Sequence, residues 1–247
     1  APAPAPAPSA ALATTPAAPA PSAAGANTLP FFRPHPKAAA PGAAPSPRPA
    51  PRTLWALTDF ASLHYSADYL FVFKQHDLHM DHPEEAVTLD TQLAAAYPHL
   101  ADPKVAFGFR HVHQLDFATS GVLCVALNKK AAKAAASLFQ QRTVSKLYLA
   151  LVHGHTSWDE ASSSTVVGED SSDPRGFRMA LEGDPHFRAG TTHSGAAHTD
   201  MYTVARGYFD GRPVSKVLMV PSSGRRHQLR LHVREMGHAI VGDVAAV

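Results

Sequence analysis

The sequence predicts an α+β fold: a mixed, mainly antiparallel sheet flanked by helices. Three observations lead there. Aromatic and β-branched runs recur at uneven spacing (69–73, 122–127, 147–152, 201–205 and 214–220). Only three helical patterns are interleaved with them, which does not fit regular βαβ alternation. The last two runs flank Asp210-Gly211, a dipeptide that favours tight hairpins because both positions tolerate positive φ.

The chain has 247 residues, and its first 53 differ in kind from the rest. Residues 1–53 are dominated by Ala and Pro, open on an A-P repeat and contain no acid. Proline blocks helix interiors and sheet ladders, and alanine offers little surface to bury. This stretch is expected to be a disordered, weakly basic tail carrying Arg33, Lys37, Arg48 and Arg52, with only Phe31-Phe32 able to dock. An organellar transit peptide has such an acid-free composition, and so does a plain low-complexity extension. The folded domain is then 54–247, long enough for one sizeable core.

Within it, 54–67 is a mixed approach segment. Residues 69–73 (Y-L-F-V-F) form a strand between Asp68 and Lys74, followed by a polar turn over 74–77. Apolar positions 89, 93, 96 and 97 mark an amphipathic helix, with Thr88 as N-cap and Pro98 as stop. A loop over 103–110 leads to His113. Residues 122–127 (V-L-C-V-A-L) form an unbroken apolar run, read as a buried strand. Asn128 caps an Ala-rich helix over 129–142, with Leu138 and Phe139 facing inward and Lys129, Lys130, Lys133 and Arg142 making it basic. Residues 147–152 form a strand, and 154–192 an irregular region of short hairpins and an insertion. After the 201–220 hairpin, Ser222-Ser223-Gly224 opens a helix through 236, with Leu229, Val233 and Met236 on one face and Gly237 as its stop.

Charge and cysteine content narrow the setting. The formal net charge is +2, with 16 histidines that add positive potential near pH 6. The single cysteine, Cys124, lies inside an apolar strand. It excludes an intrachain disulfide framework and fits a reducing intracellular compartment, the cytoplasm or an organelle. No apolar run approaches the roughly 18–20 residues of a membrane span, so no membrane partner is expected.

The chemistry-bearing residues fall in three separated segments. The first is His113-Gln-Leu-Asp116-Phe-Ala-Thr119-Ser-Gly121. The second is Lys146-Leu-Tyr148-Leu-Ala-Leu-Val152 with Gly154. The third is Ser223-Gly-Arg225-Arg-His227-Gln-Leu229-Arg230-Leu-His232, followed by Val241-Gly-Asp243. Asp116 stands on a polar turn before a buried strand, where a carboxylate is costly unless something pairs with it.

Together these segments resemble the RluA-type RNA pseudouridine synthases, whose motifs read H-R-L-D-x-x-T-S-G, K-x-Y-x-A-x-V-x-G and T-G-R-x-H-Q-[IL]-R-x-H. The similarity runs from about Ser62, where H-Y-S-A-D-Y-L-F-V-F-K looks like the family's opening strand and lysine, to Asp243. Eukaryotic RNA pseudouridine synthase domain-containing proteins with H-Q-L-D-F-x-T-S-G are especially similar. The resemblance implies a pseudouridine synthase catalytic fold and cofactor-free isomerisation of uridines in rRNA, tRNA or mRNA by a monomer, with ribosome association as an option. It implies that Asp116 attacks C1′ or removes the 2′ proton, that Arg230 pairs with it, and that Tyr148 stacks on a flipped uracil and helps remove the C5 proton. Leu229 would pack on the other face of the base. Gln114 stands where the bacterial enzymes carry an arginine that fills the gap left by the base. His113, Thr119, Lys146 and His227 complete the expected substrate-binding set with Arg225, which with Arg226, Arg234 and the 129–133 lysines would meet phosphates beside a helix N-terminus at 222–225. The family pattern continues past V-G-D, so the domain is expected to be truncated at its C-terminus.

Two other classes are compatible with parts of the sequence. Asp77-Leu-His79-Met-Asp81-His82 is similar to the H-x-H-x-D-H ligand loop of metallo-β-lactamase-type hydrolases, with Asp in place of the first His. A synthase-like RNA-binding or ribosome-associated protein without turnover is the other.

Overall fold

The computed structural model describes residues 54–243. The expected tail over 1–53 and the chain end at 244–247 lie outside the described residues.

The first half is a four-stranded antiparallel sheet. Its strands are β1 (Ala61–Tyr65), β2 (Tyr69–Lys74), β3 (Arg110–His111) and β4 (Gly121–Ala126), in the order β1-β2-β4-β3. β1 lies in the segment read as a mere approach; all five of its residues are exposed, so it lacks the alternation that marks a half-buried strand. β2 alternates strictly: Leu70, Val72 and Lys74 face inward, and Tyr69, Phe71 and Phe73 are half-buried. Leu70 and Val72 pack with Leu78, Leu89, Leu93, Phe109, Leu123 and Val125 into one core. In β4 only Leu123 onward is buried; Val122 at its start is exposed.

Two helices cover this sheet. α1 (Leu89–Ala96) begins at Thr88, whose side chain accepts the Thr91 N–H while Thr91 Oγ1 accepts the Thr88 N–H. This reciprocal cap satisfies two otherwise orphan donors. α2 (Lys129–Gln140) is capped by Asn128 Oδ1, which accepts the Ala131 N–H at 2.8 Å. Its buried residues are Ala131 and Ala135, and Leu138 is exposed, contrary to the inward placement expected from size. The small residues face inward because α2 lies close against β4, near enough for the Tyr69 hydroxyl to reach the Ala131 carbonyl.

The second half is built on β5 (Tyr148–His153), β6 (Glu160–Ser163), β10 (Thr199–Phe209) and β11 (Arg212–Pro221), in the order β5-β11-β10-β6. The β10–β11 hairpin turns at Asp210 and Gly211, both at positive φ as the dipeptide predicts. The irregular 154–192 region contains β6 and most of a three-stranded sheet of β7 (Val167–Asp170), β8 (Met179–Leu181) and β9 (Phe187–Arg188). α3 (Gln228–Glu235) packs Leu229, Val233 and, just beyond its end, Met236 against Val152, Met201, Val217 and Met219. Every strand pair among the described residues is antiparallel, in keeping with the predicted α+β class.

One helix boundary differs from the sequence reading. Residues 222–227 are not helical, and α3 starts at Gln228. His227 sits at φ 57°, a left-handed conformation that a helix cannot continue through. The buried Gln228 side chain stabilises this loop: it accepts the Ser223 hydroxyl and the Arg225 N–H and donates to the His198 carbonyl and Thr199 Oγ1.

Replacing Thr88 by Ala should lower the free energy of unfolding by about 1 kcal/mol, and Ser should restore most of it. Urea titrations of the three proteins would test this; equal midpoints would show that the cap contributes nothing.

Candidate active site

The Asp116 turn is built around a lysine. Lys74 follows Leu70 and Val72 in the inward phase of β2, so its side chain enters the protein and is fully buried. Its ammonium meets four carbonyl oxygens: Gln75 at 3.0 Å, Asp116 at 3.1 Å, Phe117 at 3.0 Å and Thr119 at 2.8 Å. Three of these belong to the turn itself. The turn is closed by the Thr119 N–H on the Asp116 carbonyl at 3.0 Å. Gly121, at φ +144°, ends it in a conformation that side-chain-bearing residues rarely adopt. Burial lowers the Lys74 pKa to about 8, against the charges of Asp116 and Asp77, which raise it. At neutral pH it remains an ammonium.

With its backbone held in this way, Asp116 points its carboxylate outward, with 38% of the side chain exposed. Arg230 of α3 approaches it, Nη1 to Oδ2 at 3.7 Å. The arginine's shorter contacts go elsewhere. Nε and Nη2 grip the two oxygens of Asp243 at 2.6 and 2.7 Å, a bidentate pair. Burial works against the Arg230 charge, but the hydrogen bonds and charge of Asp243, with the charge of Asp116, more than offset it and hold the group protonated. Asp243 therefore aims Arg230, leaving one guanidinium edge for Asp116.

Tyr148 opens β5, and burial followed by the negative charge of Asp116 raises its pKa. The phenol is thus protonated at neutral pH. Leu229 is half-buried in the same cluster as Tyr148. The His227 imidazole is kept neutral at pH 7 mainly by burial; Asp116 opposes that shift, and Arg230 and Arg226 reinforce it. Asp116, Arg230, Tyr148 and His227 therefore share one electrostatic neighbourhood drawn from three distant segments.

The other expected substrate residues have more local partners. His113 Nε2 accepts the Cys124 N–H at 3.1 Å, and the ring stacks on Phe139 at 5.0 Å. Gln114 is exposed beside it. The Thr119 carbonyl is one of the Lys74 acceptors. Lys146 Nζ donates to the Ser223 carbonyl at 2.5 Å. Arg225 Nε leans on the Ala196 carbonyl at 3.4 Å. Two arginines expected at phosphates are bonded within the chain: Arg226 to the Gly176 carbonyl and His193, and Arg234 to Asp184. The helix N-terminus expected at 222–225 is at residue 228 instead.

The hydrolase reading of Asp77, His79, Asp81 and His82 finds no ligand set. Among the described residues no group of three or more His, Cys, Asp or Glu could hold a metal ion. His79 Nδ1 bonds Glu85 at 2.9 Å, and its ring rests on Phe117 at 4.4 Å, so this loop buttresses the Asp116 turn. Sequence reasoning missed the roles of Lys74 and Asp243. For Lys74 a signal existed: the two-residue period of Y-L-F-V-F-K puts it in phase with Leu70 and Val72.

Two antiparallel sheets that bring an outward carboxylate, an arginine and a protonated tyrosine into one neighbourhood are in keeping with the pseudouridine synthase fold. The sequence matches the family described as RNA pseudouridylate synthase over residues 68–235, and the chain belongs to that family. It is 42% identical over 191 residues to RNA pseudouridylate synthase domain-containing protein 1 of Mus musculus, covering 76% of this chain and 61% of that protein. The dual-specificity RNA pseudouridine synthase RluA of Vibrio parahaemolyticus is 33% identical over 134 residues, covering 53% of this chain and 49% of that one. Among solved structures, human RNA pseudouridylate synthase domain containing 1 superposes with a TM-score of 0.68 at 37% identity, covering 79% of this chain and 73% of its own. The chain thus spans about three-fifths of the length of its curated mouse relative.

Replacing Lys74 by Met leaves four carbonyls without their shared donor and should cost about 2 kcal/mol or more of stability. Hydrogen exchange should show faster exchange at the Leu78 and Thr119 amides. Unchanged protection of both would mean that the turn holds without its lysine.

Proposed function

We propose that this chain isomerises uridine to pseudouridine in RNA, with Asp116 as the catalytic carboxylate. The observation that carries this reading is the convergence of Asp116, Arg230 and Tyr148 from three separate motifs onto one site. The reaction breaks the C1′–N1 bond, turns the uracil and joins C5 to C1′; the C5 proton leaves and N1 gains one. No electrons are gained or lost overall, so the residues need only supply a carboxylate, a stacking surface and charge.

Asp116 acts either by attacking C1′ or by removing the 2′ proton. Its exposed oxygen beside Arg230 Nη1 suits both routes, since the arginine stabilises the carboxylate when the sugar leaves it. The target base must be extruded, at a cost of a few kcal/mol. Stacking on the Tyr148 ring would return about 1–3 kcal/mol, with Leu229 against the other face. Tyr148 is assigned to stacking and to help in removing the C5 proton, the second role being made costlier by its raised pKa. Gln114, exposed at the rim, is assigned to the gap in the RNA stack, and His113 and Thr119 to positioning the turn. His227 lies beside the carboxylate as a neutral polar group. We further assign the chain to rRNA, tRNA or mRNA, as a monomer that works without a membrane. No helix among the described residues is long and apolar enough to cross one.

Asp116→Asn should reduce tritium release from RNA labelled at uridine C5 by at least about a thousandfold, a loss of roughly 4 kcal/mol of transition-state stabilisation. RNA binding should remain close to that of the unaltered chain. Turnover near the original rate in this variant would remove Asp116 from the mechanism. Binding without tritium release by the unaltered chain would favour a binding-only protein.

The pH dependence should have an alkaline limb set by Lys74. Below about pH 8 the lysine is an ammonium with three N–H donors and a positive charge under Asp116; above it, the amine keeps two donors and no charge. Activity should therefore fall as pH rises through about 8, with circular dichroism unchanged. A flat rate to pH 9 would dissociate Lys74 from catalysis.

A further inference from the structure

Beside the site lies a cleft of about 260 Å³ between the end of α2 and the 222–227 loop, lined by Phe139, Gln140, Arg142, Lys146, Ser223, Gly224 and Arg225. Three of these seven are cations. Among the described residues, none of the three has a carboxylate within ion-pair distance, 4.0 Å. This sets them apart from Arg230 and Arg234, which are paired with the carboxylates of Asp243 and Asp184. Burial lowers the Lys146 pKa, and the nearby charge of Arg142 lowers it further. The cleft therefore concentrates positive charge with no carboxylate of the described residues in ion-pair contact with it.

The backbone supports the same conclusion. Arg142 follows the C-cap of α2 at φ 59°, with its N–H on the Phe139 carbonyl and the Thr143 N–H on the Leu138 carbonyl. This helix-ending position favours glycine, because a side chain there crowds the backbone. A non-glycine residue held in that conformation signals a use for its side chain. Arg225 is placed by its neighbours as well: its N–H is fixed by Gln228, and its guanidinium lies where a side chain at Gly195 would collide with it.

We propose that this cleft is a phosphate subsite, in which Arg142, Lys146 and Arg225 together hold one backbone phosphate of the bound RNA. The inference rests on the RNA-modifying reading above and deepens it. The subsite adjoins the place where the base is extruded, because its Phe139 wall stacks on His113, next to Gln114. A phosphate held there would anchor the strand while the adjoining nucleotide swings toward Asp116. Lys146 is pre-set by its bond to the Ser223 carbonyl, and Arg142 is near enough for its charge to act on Lys146.

The test uses the full chain and a fluorescein-labelled oligouridylate of about twelve nucleotides, with Kd measured over a salt series. Arg142→Gln should weaken binding about tenfold near 0.1 M salt and flatten the slope of log K against log salt by about 0.7, the value for one phosphate on a single strand. Arg225→Gln should do the same. The double variant should lose little more than either single variant, because both arginines meet one phosphate. Arg142→Gly should bind as weakly as Arg142→Gln yet melt at the same or a higher temperature, which separates lost charge from lost fold. An unchanged slope in Arg142→Gln, or a double variant that flattens twice as far, would overturn the shared subsite. If the unaltered chain binds with this salt dependence but releases no tritium from labelled uridine, the enzymatic reading fails and the subsite stands. If turnover is normal and Arg142→Gln keeps its slope, the subsite alone fails.

Discussion

The Lys74 ammonium is the contact on which the active-site turn depends. A buried charge is costly unless it is thoroughly bonded, and this one is met by four carbonyl oxygens, three of them from the Asp116 turn. Those carbonyls cannot be satisfied by a sheet ladder, because the turn interrupts one. The lysine therefore holds the backbone of a loop that has little regular structure of its own. Placing the charge beneath Asp116 also supplies a cation for the carboxylate without covering its exposed side. The Asp116 carboxylate thus rests on a held backbone and faces solvent, as the proposed role at an incoming nucleotide would require.

The second sheet completes the site by a different device. Arg230 is carried on α3, whose start is fixed by the left-handed His227 and the buried amide of Gln228. Asp243 takes two of the arginine's nitrogens and leaves the third for Asp116. A guanidinium with a single partner would rotate about its long stem; one held by a fork keeps its orientation. The Asp116–Arg230 contact at 3.7 Å is loose and contributes modestly to stability. Its value is the fixed direction of positive charge toward the accessible Asp116 carboxylate.

These devices were unevenly legible in the sequence. Strand β2, the Thr88 and Asn128 caps and the Asp210-Gly211 turn follow from local chemistry, so they could be read directly. The motif residues Asp116, Tyr148 and Arg230 stood out by resemblance, and the fold brings them together. The inner face of α2 was misread because Leu138 is larger than Ala131 and Ala135, whereas close approach to β4 selects the small residues. The start of α3 was misread because nothing local in Ser222-Ser223-Gly224 forbids a helix; the constraint is a set of side-chain bonds from Gln228 to strand β10 and the residue before it. The Arg230–Asp243 pair spans residues joined only by tertiary structure. Periodicity reports what each element prefers alone, and these positions are decided by what it packs against.

A net charge of +2 conceals a division of labour among the cations. Arg230 and Arg234 are bonded to carboxylates and shape the protein. Arg142, Lys146 and Arg225 converge on a cleft with no carboxylate partner among the described residues, and Lys129, Lys130 and Lys133 are exposed on the same helix, α2, that leads to Arg142. Folding alone would favour pairing the first group and dispersing the second, since like charges in one cleft repel. Their convergence means that the free protein carries unfavourable electrostatic energy that only an anion relieves. A polyanion would relieve it over its whole length. On the proposed function, Lys129, Lys130 and Lys133 at the start of α2 would meet the RNA strand without register, and the cleft beside His113 would set which nucleotide stands opposite Asp116.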